Sequence, residues 1–234
     1  MNVFKPDRLL TSGAEHEVYI QNRQGSPAVL KAPASWSWWQ DMSAETAQAD
    51  LDALQEYGIR HVPTRVHPNV LLEGLDGTRK ELSYVLEQPF KEARPVTVAD
   101  LRNPAIGSQL AEMFERSQDL YRGTGRSVDY VGFAALVGLM RSLHKEKLEV
   151  AIHNVLVTEE ADKPVVELCD TRLFRAEGFA LPLRWALMRS NNLQHDMVGR
   201  ALKTAGYPNV RASTEWLPEL VGRTLYAGIQ NKLE

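Results

Sequence analysis

The feature that most constrains this chain is a change of period part-way along it. Up to about residue 90, short apolar runs are separated by turn residues: "RLLTS", "EVYIQ" and "AVLKA", the last two flanking "NRQGSP". Such runs predict an antiparallel β-meander. Past Asn103 and Pro104 the apolar residues recur every three to four positions instead, the period of a half-buried helix. Strands first and helices later define an α+β chain rather than a βαβ one.

Within the first part, "SAETAQADLDALQEYG" places Ala47, Leu51 and Leu54 on one helical face, with Ser43 as N-cap and Gly58 as stop. "VPTRVHPNVLLEGL" and "KELSYVLEQPF" read as two further strands, the second ending at Glu87. The polar stretch holding Pro89 and Pro95 reads as a linker. Residues 1–90 therefore form one predicted domain and 91–234 another. In the second, "TVADLR" resembles a capping box that starts the helix after the linker. Asn103 and Pro104 fit an N-cap followed by proline at the first helical position, and Ile106, Leu110, Met113, Phe114 and Tyr121 line one face. "DYVGFAALVGLMRSLHKE" predicts another helix through Phe133, Leu136, Val137, Met140 and Leu143. "EVAIHNVLV" and "PVVELC" are strands joined by "TEEADK" as a hairpin. From Asp170 onward the chain reads as mostly helical, with apolar faces at Met197, Val198, Ala201 and Leu202 and again at Trp216, Leu217, Leu220, Val221 and Leu225.

Composition narrows the partners. The 234 residues carry a formal charge of −3 and no dense Lys/Arg run, so neither nucleic acid nor an anionic membrane is an expected partner. Cys169 is the sole cysteine and has no partner for an internal disulfide. "MNVFKPDRLL" lacks the layout of a secretory signal, and the most apolar stretches fall short of a membrane span, so a cytoplasmic location is expected. His61 and His67 lie beside Pro63 and Pro68 without the spacing of a zinc site.

Three short motifs stand in a significant order. "SGAEHEVYI" is followed by "AVLK" and, much later, by "HNVLVTEEADKPVVELCDT". With five strands and a helix, a linker, then helices and a hairpin, the chain resembles the protein-kinase-like superfamily, and the resemblance runs from about residue 8 to 175. It implies a bilobal α+β fold with a small antiparallel β-sheet N-lobe and a mainly helical C-lobe, binding ATP and Mg2+ between the lobes. The glycine-rich loop of the family corresponds to Gly13 and Ala14, with His16 near its last glycine. The third-strand lysine corresponds to Lys31, the end of the last N-lobe strand to Glu87, and the magnesium ligands to Asn154 and Asp170. The chemistry is consistent, because a triphosphate needs a protein cation and a divalent metal with hard oxygen ligands.

The departures from the family pattern are equally specific. Ala47 stands where a glutamate pairs with the lysine, leaving Asp50 or Glu45 as substitutes; for most of Glu45, Asp50, Asp52 and Glu56 a solvated face is the simpler expectation. Glu149 occupies the place of the catalytic aspartate, five residues before Asn154, and His153 is a less favoured base. After Asp170 neither Asp-Phe-Gly nor Ala-Pro-Glu occurs, which disfavours a docked peptide substrate; Arg172 and Arg175 are possible phosphate contacts. "WSWW" at 36–39 reads as a cap on the lobe's core rather than a base-stacking surface. Three functions stay open: phosphoryl transfer to a non-peptide acceptor, a catalytically inactive pseudokinase acting through a protein partner, and an unrelated α+β binding protein.

Overall fold

The structure, a computed structural model, describes residues 2–12, 16–23, 25–34, 43–131, 151–174, 181–208 and 210. The architecture is α+β, the expected class. The chain divides into two compact units, one of residues 1–53 and 61–92, the other of 54–60 and 93–234.

The first unit is built on a six-stranded sheet of order β1-β5-β6-β4-β3-β2. Its strands are β1 (Asn2–Phe4), β2 (Arg8–Ser12), β3 (His16–Arg23), β4 (Ser26–Pro33), β5 (Arg65–Glu73) and β6 (Arg79–Pro89). All neighbours are antiparallel except β1, which runs parallel to β5. β1 was not foreseen: three residues are too few to show a period. β6 continues two residues past Glu87, where Gln88 and Pro89 still pair with Val29 and Ala28 of β4.

The sheet has two apolar faces. Leu30, Ala32, Val70, Leu72, Leu82 and Val85 pack with Phe4 on one of them. Tyr84 and Leu86 lie on the other, under Ala44 and Ala47 of helix α1 (Ala44–Glu56). Strict alternation would put Val66 and Val70 on the same side. Asn69, with φ of 51°, breaks it, so Val66 joins the α1 side and Val70 the opposite one. α1 starts where Ser43 Oγ accepts the Thr46 N–H at 3.1 Å. It stops at Gly58, whose φ of 66° is the left-handed turn that glycine adopts without strain.

In the second unit β7 (Arg94–Thr97) leads into a 3-10 helix over Val98–Arg102 and then α2 (Pro104–Thr124). The stretch expected as linker thus holds a strand, and Pro95 is tolerated because β7 is the edge strand of a three-stranded sheet. The Thr97/Asp100 capping box begins the 3-10 helix, and Asn103 starts α2 separately by accepting the Ala105 N–H at 3.0 Å. The Arg94 guanidinium grips both Asp100 oxygens at 2.6 and 2.7 Å and holds that carboxyl down to about 2. Ile106, Leu110, Met113 and Phe114 are buried as expected, but Tyr121 is 47% exposed. Leu120 takes the buried position in that turn.

β9 (Ala151–Glu160) and β10 (Lys163–Leu168) form the expected hairpin with a tighter loop. Only Ala161 and Asp162 turn, both at positive φ (48° and 63°), the twist that suits a two-residue connection. α3 (Leu181–Thr204) buries Met197, Val198, Ala201 and Leu202. The helix expected through Phe133–Leu143, "WSWW", and the face from Trp216 to Leu225 lie outside the described residues. Among the described residues no helix is long and apolar enough to cross a membrane.

Candidate functional site

Lys31 sits on β4, flanked by β3 and β6, directly opposite Val18 and Leu86. Residues opposite one another in an antiparallel ladder project to the same side, so Lys31 shares the α1-covered face with Leu86 and Tyr84. Its stem is half-buried. Above it, α1 turns one acidic residue inward. Glu45, Asp52 and Glu56 are exposed, whereas Asp50 is completely buried, one turn from the equally enclosed Ala47. A carboxylate enclosed this way is costly unless it meets positive charge or hydrogen-bond donors. Register places Lys31 on that sheet face, with Arg8, opposite Ile20, further along it.

Glu87 behaves differently. It pairs in register with Leu30, so its side chain faces the Phe4 core, away from Lys31. There Glu87 Oε2 lies 2.9 Å from His67 Nε2, close enough for an ion pair but not aligned as a hydrogen bond. The His67 ring meets Phe4 edge-on at 5.0 Å. Only the backbone of Glu87 is therefore suited to touching a ligand on the Lys31 face.

In the second unit Asn154 lies in β9 and is held on three sides by backbone groups. Its N–H donates to the Tyr130 carbonyl at 3.0 Å, and its carbonyl accepts the Cys169 N–H at 2.9 Å. Its side-chain Nδ2 donates to the Asp129 carbonyl at 2.9 Å. That last bond fixes the amide so that Oδ1 is the end presented as an acceptor. Asp170 follows Cys169 directly, and its Oδ1 accepts the Arg172 N–H at 3.3 Å. The chain then returns as β11 (Leu173–Phe174), paired with β8 (Ser127–Val128).

The segment from Ser127 to Val131 scaffolds all of this and had no signal in the sequence, since most of what it supplies is main-chain carbonyl and N–H. It is tied to α3 at three points: Asn191 Nδ2 donates to Ser127 Oγ at 2.7 Å, His195 Nε2–H to the Val128 carbonyl at 2.9 Å, and the Val131 N–H to Gln194 Oε1 at 2.9 Å. Tyr130 Oη donates to the Ser117 hydroxyl of α2 at 2.8 Å. The His195 ring packs against Phe114 and Tyr130, and burial pushes its pKa down to about 4 despite the Val128 carbonyl.

Asn154 and Asp170 are thus brought to adjacent ends of one hairpin, offering an amide oxygen and a carboxylate. Both are the hard donors that Mg2+ takes, and Mg2+ retains waters for its remaining positions, so the pair fits that ion. Held by these two residues, such an ion would supply positive charge against a phosphate group. Among the described residues no group of three His, Cys, Asp or Glu side chains clusters as a metal site. Gly13, Ala14, Glu149 and Arg175 lie outside the described residues. His153 is exposed, and Arg172 is buried.

No protein-family model and no curated protein matches the chain. Solved structures similar to it include the following three. WaaP in complex with acyl carrier protein is 14% identical, with 97% of this chain and 87% of that one covered at a TM-score of 0.41. An apo pseudokinase is 9% identical, with 100% and 89% covered at 0.37. Spectinomycin phosphotransferase APH(9)-Ia, in complex with ADP and spectinomycin, is 11% identical, with 95% and 93% covered at 0.40.

Proposed function

We propose that this chain is a kinase-like protein that binds Mg-ATP, with Lys31 on the α- and β-phosphates, Asp50 holding Lys31, and Asn154 and Asp170 holding the metal. The observation that carries the reading is the burial of Asp50 on the helix face above Lys31. Nothing in a purely structural helix asks for a carboxylate there, because an apolar residue fills the place without a desolvation cost. Asp50 thereby takes over from the glutamate that Ala47 replaces, with a stem one methylene shorter and a position one turn further along. The sheet would meet the adenine through the backbone near Glu87, and Gly13 and Ala14 would cover the phosphates.

Binding is tested by thermal shift with magnesium alone and with Mg-ATP. Ligand at about a hundred times its dissociation constant adds roughly 2.7 kcal/mol, a rise of several degrees at about 2–4 °C per kcal/mol for this size. The rise is expected in the natural protein and absent in Lys31→Ala and Asp170→Asn. No rise in the natural protein overturns the reading.

Phosphoryl transfer to a non-peptide acceptor would add Glu149 as the base that takes the acceptor's proton. The absence of the family's aspartate from that position favours the second reading, a pseudokinase that binds nucleotide and acts through a protein partner. ATP turnover abolished by Glu149→Gln with binding retained decides for transfer, and binding without turnover decides for the pseudokinase.

A further inference from the structure

We propose that Gln194 of α3 is a positioning residue for Asn154, acting through the peptide unit that joins Tyr130 to Val131; this rests on the Mg-ATP reading above. The Val131 N–H donates to Gln194 Oε1 at 2.9 Å, and the Tyr130 carbonyl accepts the Asn154 N–H at 3.0 Å. Those two groups are opposite ends of one planar peptide, so neither end turns without the other. Gln194 therefore grips the far side of the unit that seats the Asn154 backbone. The carbonyl one residue earlier, that of Asp129, accepts from Asn154 Nδ2 at 2.9 Å and so sets the side-chain amide.

The segment under Asn154 depends on such outside holds. Ser127 and Val128 pair with β11, but residues 129–131 belong to no strand or helix. Their peptide planes are set by whatever bonds their N–H and C=O groups. α3 supplies three bonds to the segment from one stripe, since Asn191, Gln194 and His195 stand at i, i+3 and i+4. They reach Ser127 Oγ, the Val131 N–H and the Val128 carbonyl respectively. His195 and Gln194 thus clamp the chain on either side of the two carbonyls that Asn154 uses.

Gln194 is 3% exposed, and a buried amide is costly unless its bonds are made. Because the Val131 N–H is only a donor, the amide oxygen must be the atom that meets it, which fixes the Gln194 side chain in turn. A purely structural Gln194 would satisfy that N–H and nothing more. Here, rotating the Tyr130–Val131 unit also withdraws the carbonyl from Asn154, and the side-chain oxygen of Asn154 loses its setting. Residues that orient a metal ligand in this way carry about 10–100-fold in metal affinity.

The test is calorimetric titration of the full chain with ATP, once with magnesium and once with the metal chelated. Gln194→Met keeps the length of the side chain and removes the acceptor. Its Mg-ATP affinity is expected to fall about tenfold, with the affinity for metal-free ATP unchanged. Gln194→Glu, which keeps an oxygen at the same reach, should retain most of the Mg-ATP affinity. In an Asn154→Ala background Gln194→Met should cost no further magnesium-dependent affinity, because the residue it acts through is gone. A second measurement needs no variant. Ion binding and the Gln194 bond must support each other reciprocally, so exchange of the Val131 N–H in the natural protein should slow more with Mg-ATP than with metal-free ATP, relative to amides of α2. Equal losses with and without metal, additive losses with Asn154→Ala, or Val131 exchange indifferent to the ion each overturn the proposal and leave Mg-ATP binding standing. Absence of Mg-ATP binding in the natural protein instead removes the underlying reading, and the proposal with it.

Discussion

The Lys31 face of the first unit and the Asn154–Asp170 hairpin of the second hold their polar groups by opposite means. Asp50 is enclosed by a helix and a sheet, and its placement is a matter of burial. Asn154 and Asp170 are only partly covered, and their placement is a matter of hydrogen bonds from main-chain atoms of Tyr130, Asp129, Cys169 and Arg172. A charge placed by burial is tied to the stability of its unit. A ligand placed by backbone bonds is replaceable at little cost to folding and at large cost to the ion it would hold.

The sharpest test of that difference is Asp50→Ala. Removing a fully buried carboxylate strands the groups that compensate it, and unfolding stability in urea should fall by about 3 kcal/mol or more. A loss below about 0.5 kcal/mol, the range of ordinary surface substitutions, would erase the distinction between the two regions.

Next in size is a pH effect confined to the second unit. The folded pKa of His195, near 4, lies below its unfolded value of about 6.5, so the unfolded chain binds the extra proton first. Stability is full above about pH 6.5 and is lost as the pH falls toward 4, by on the order of 3 kcal/mol. Melts across that window should show the slope in the natural protein and lose most of it in His195→Phe.

Asn154→Ala separates ligand binding from folding. It removes the bond to the Asp129 carbonyl, expected to cost about 1 kcal/mol in a denaturant titration. The magnesium-dependent part of ATP affinity should drop about tenfold or more, since one of two protein oxygens is gone. The smallest expected effect is Asn103→Ala at the start of α2, about 1 kcal/mol in stability with nucleotide affinity unchanged. A change in affinity there would mean that α2 helps to set the hairpin.

The regular elements were legible because their signals are local. Ser43 and Gly58 bracket α1, Asn103 and Pro104 open α2, and the strands through Val18 and Leu30 follow their periods. Asp50 was legible in part: it falls on the same helical stripe as Ala47, Leu51 and Leu54, yet three other acidic residues on the helix suggest a solvated face. Only packing distinguishes it from them. The parallel strand β1, the flip of faces at Asn69 and the scaffolding by residues 127–131 depend on pairings across long separations or on main-chain atoms. No side-chain pattern encodes those. His16 was visible as a departure from a glycine-rich loop, but its hydrogen bond with Tyr84, at 3.1 Å, spans 68 positions and emerges only from the folded sheet.

One side chain on α2 has a consequence for the protein in a crowded solution. Gln109 donates to the Pro164 carbonyl at 2.9 Å and accepts the Val166 N–H at 3.1 Å, acting along the outer edge of β10 as a peptide unit of a further strand would. A bare edge recruits strands from other molecules and seeds aggregates. Here a foreign strand must first displace an amide that belongs to the same fold, and beyond it the Arg60 carbonyl that accepts the Leu168 N–H at 3.0 Å, so the hairpin carrying Asn154 is shielded from intermolecular β-pairing by groups of its own chain.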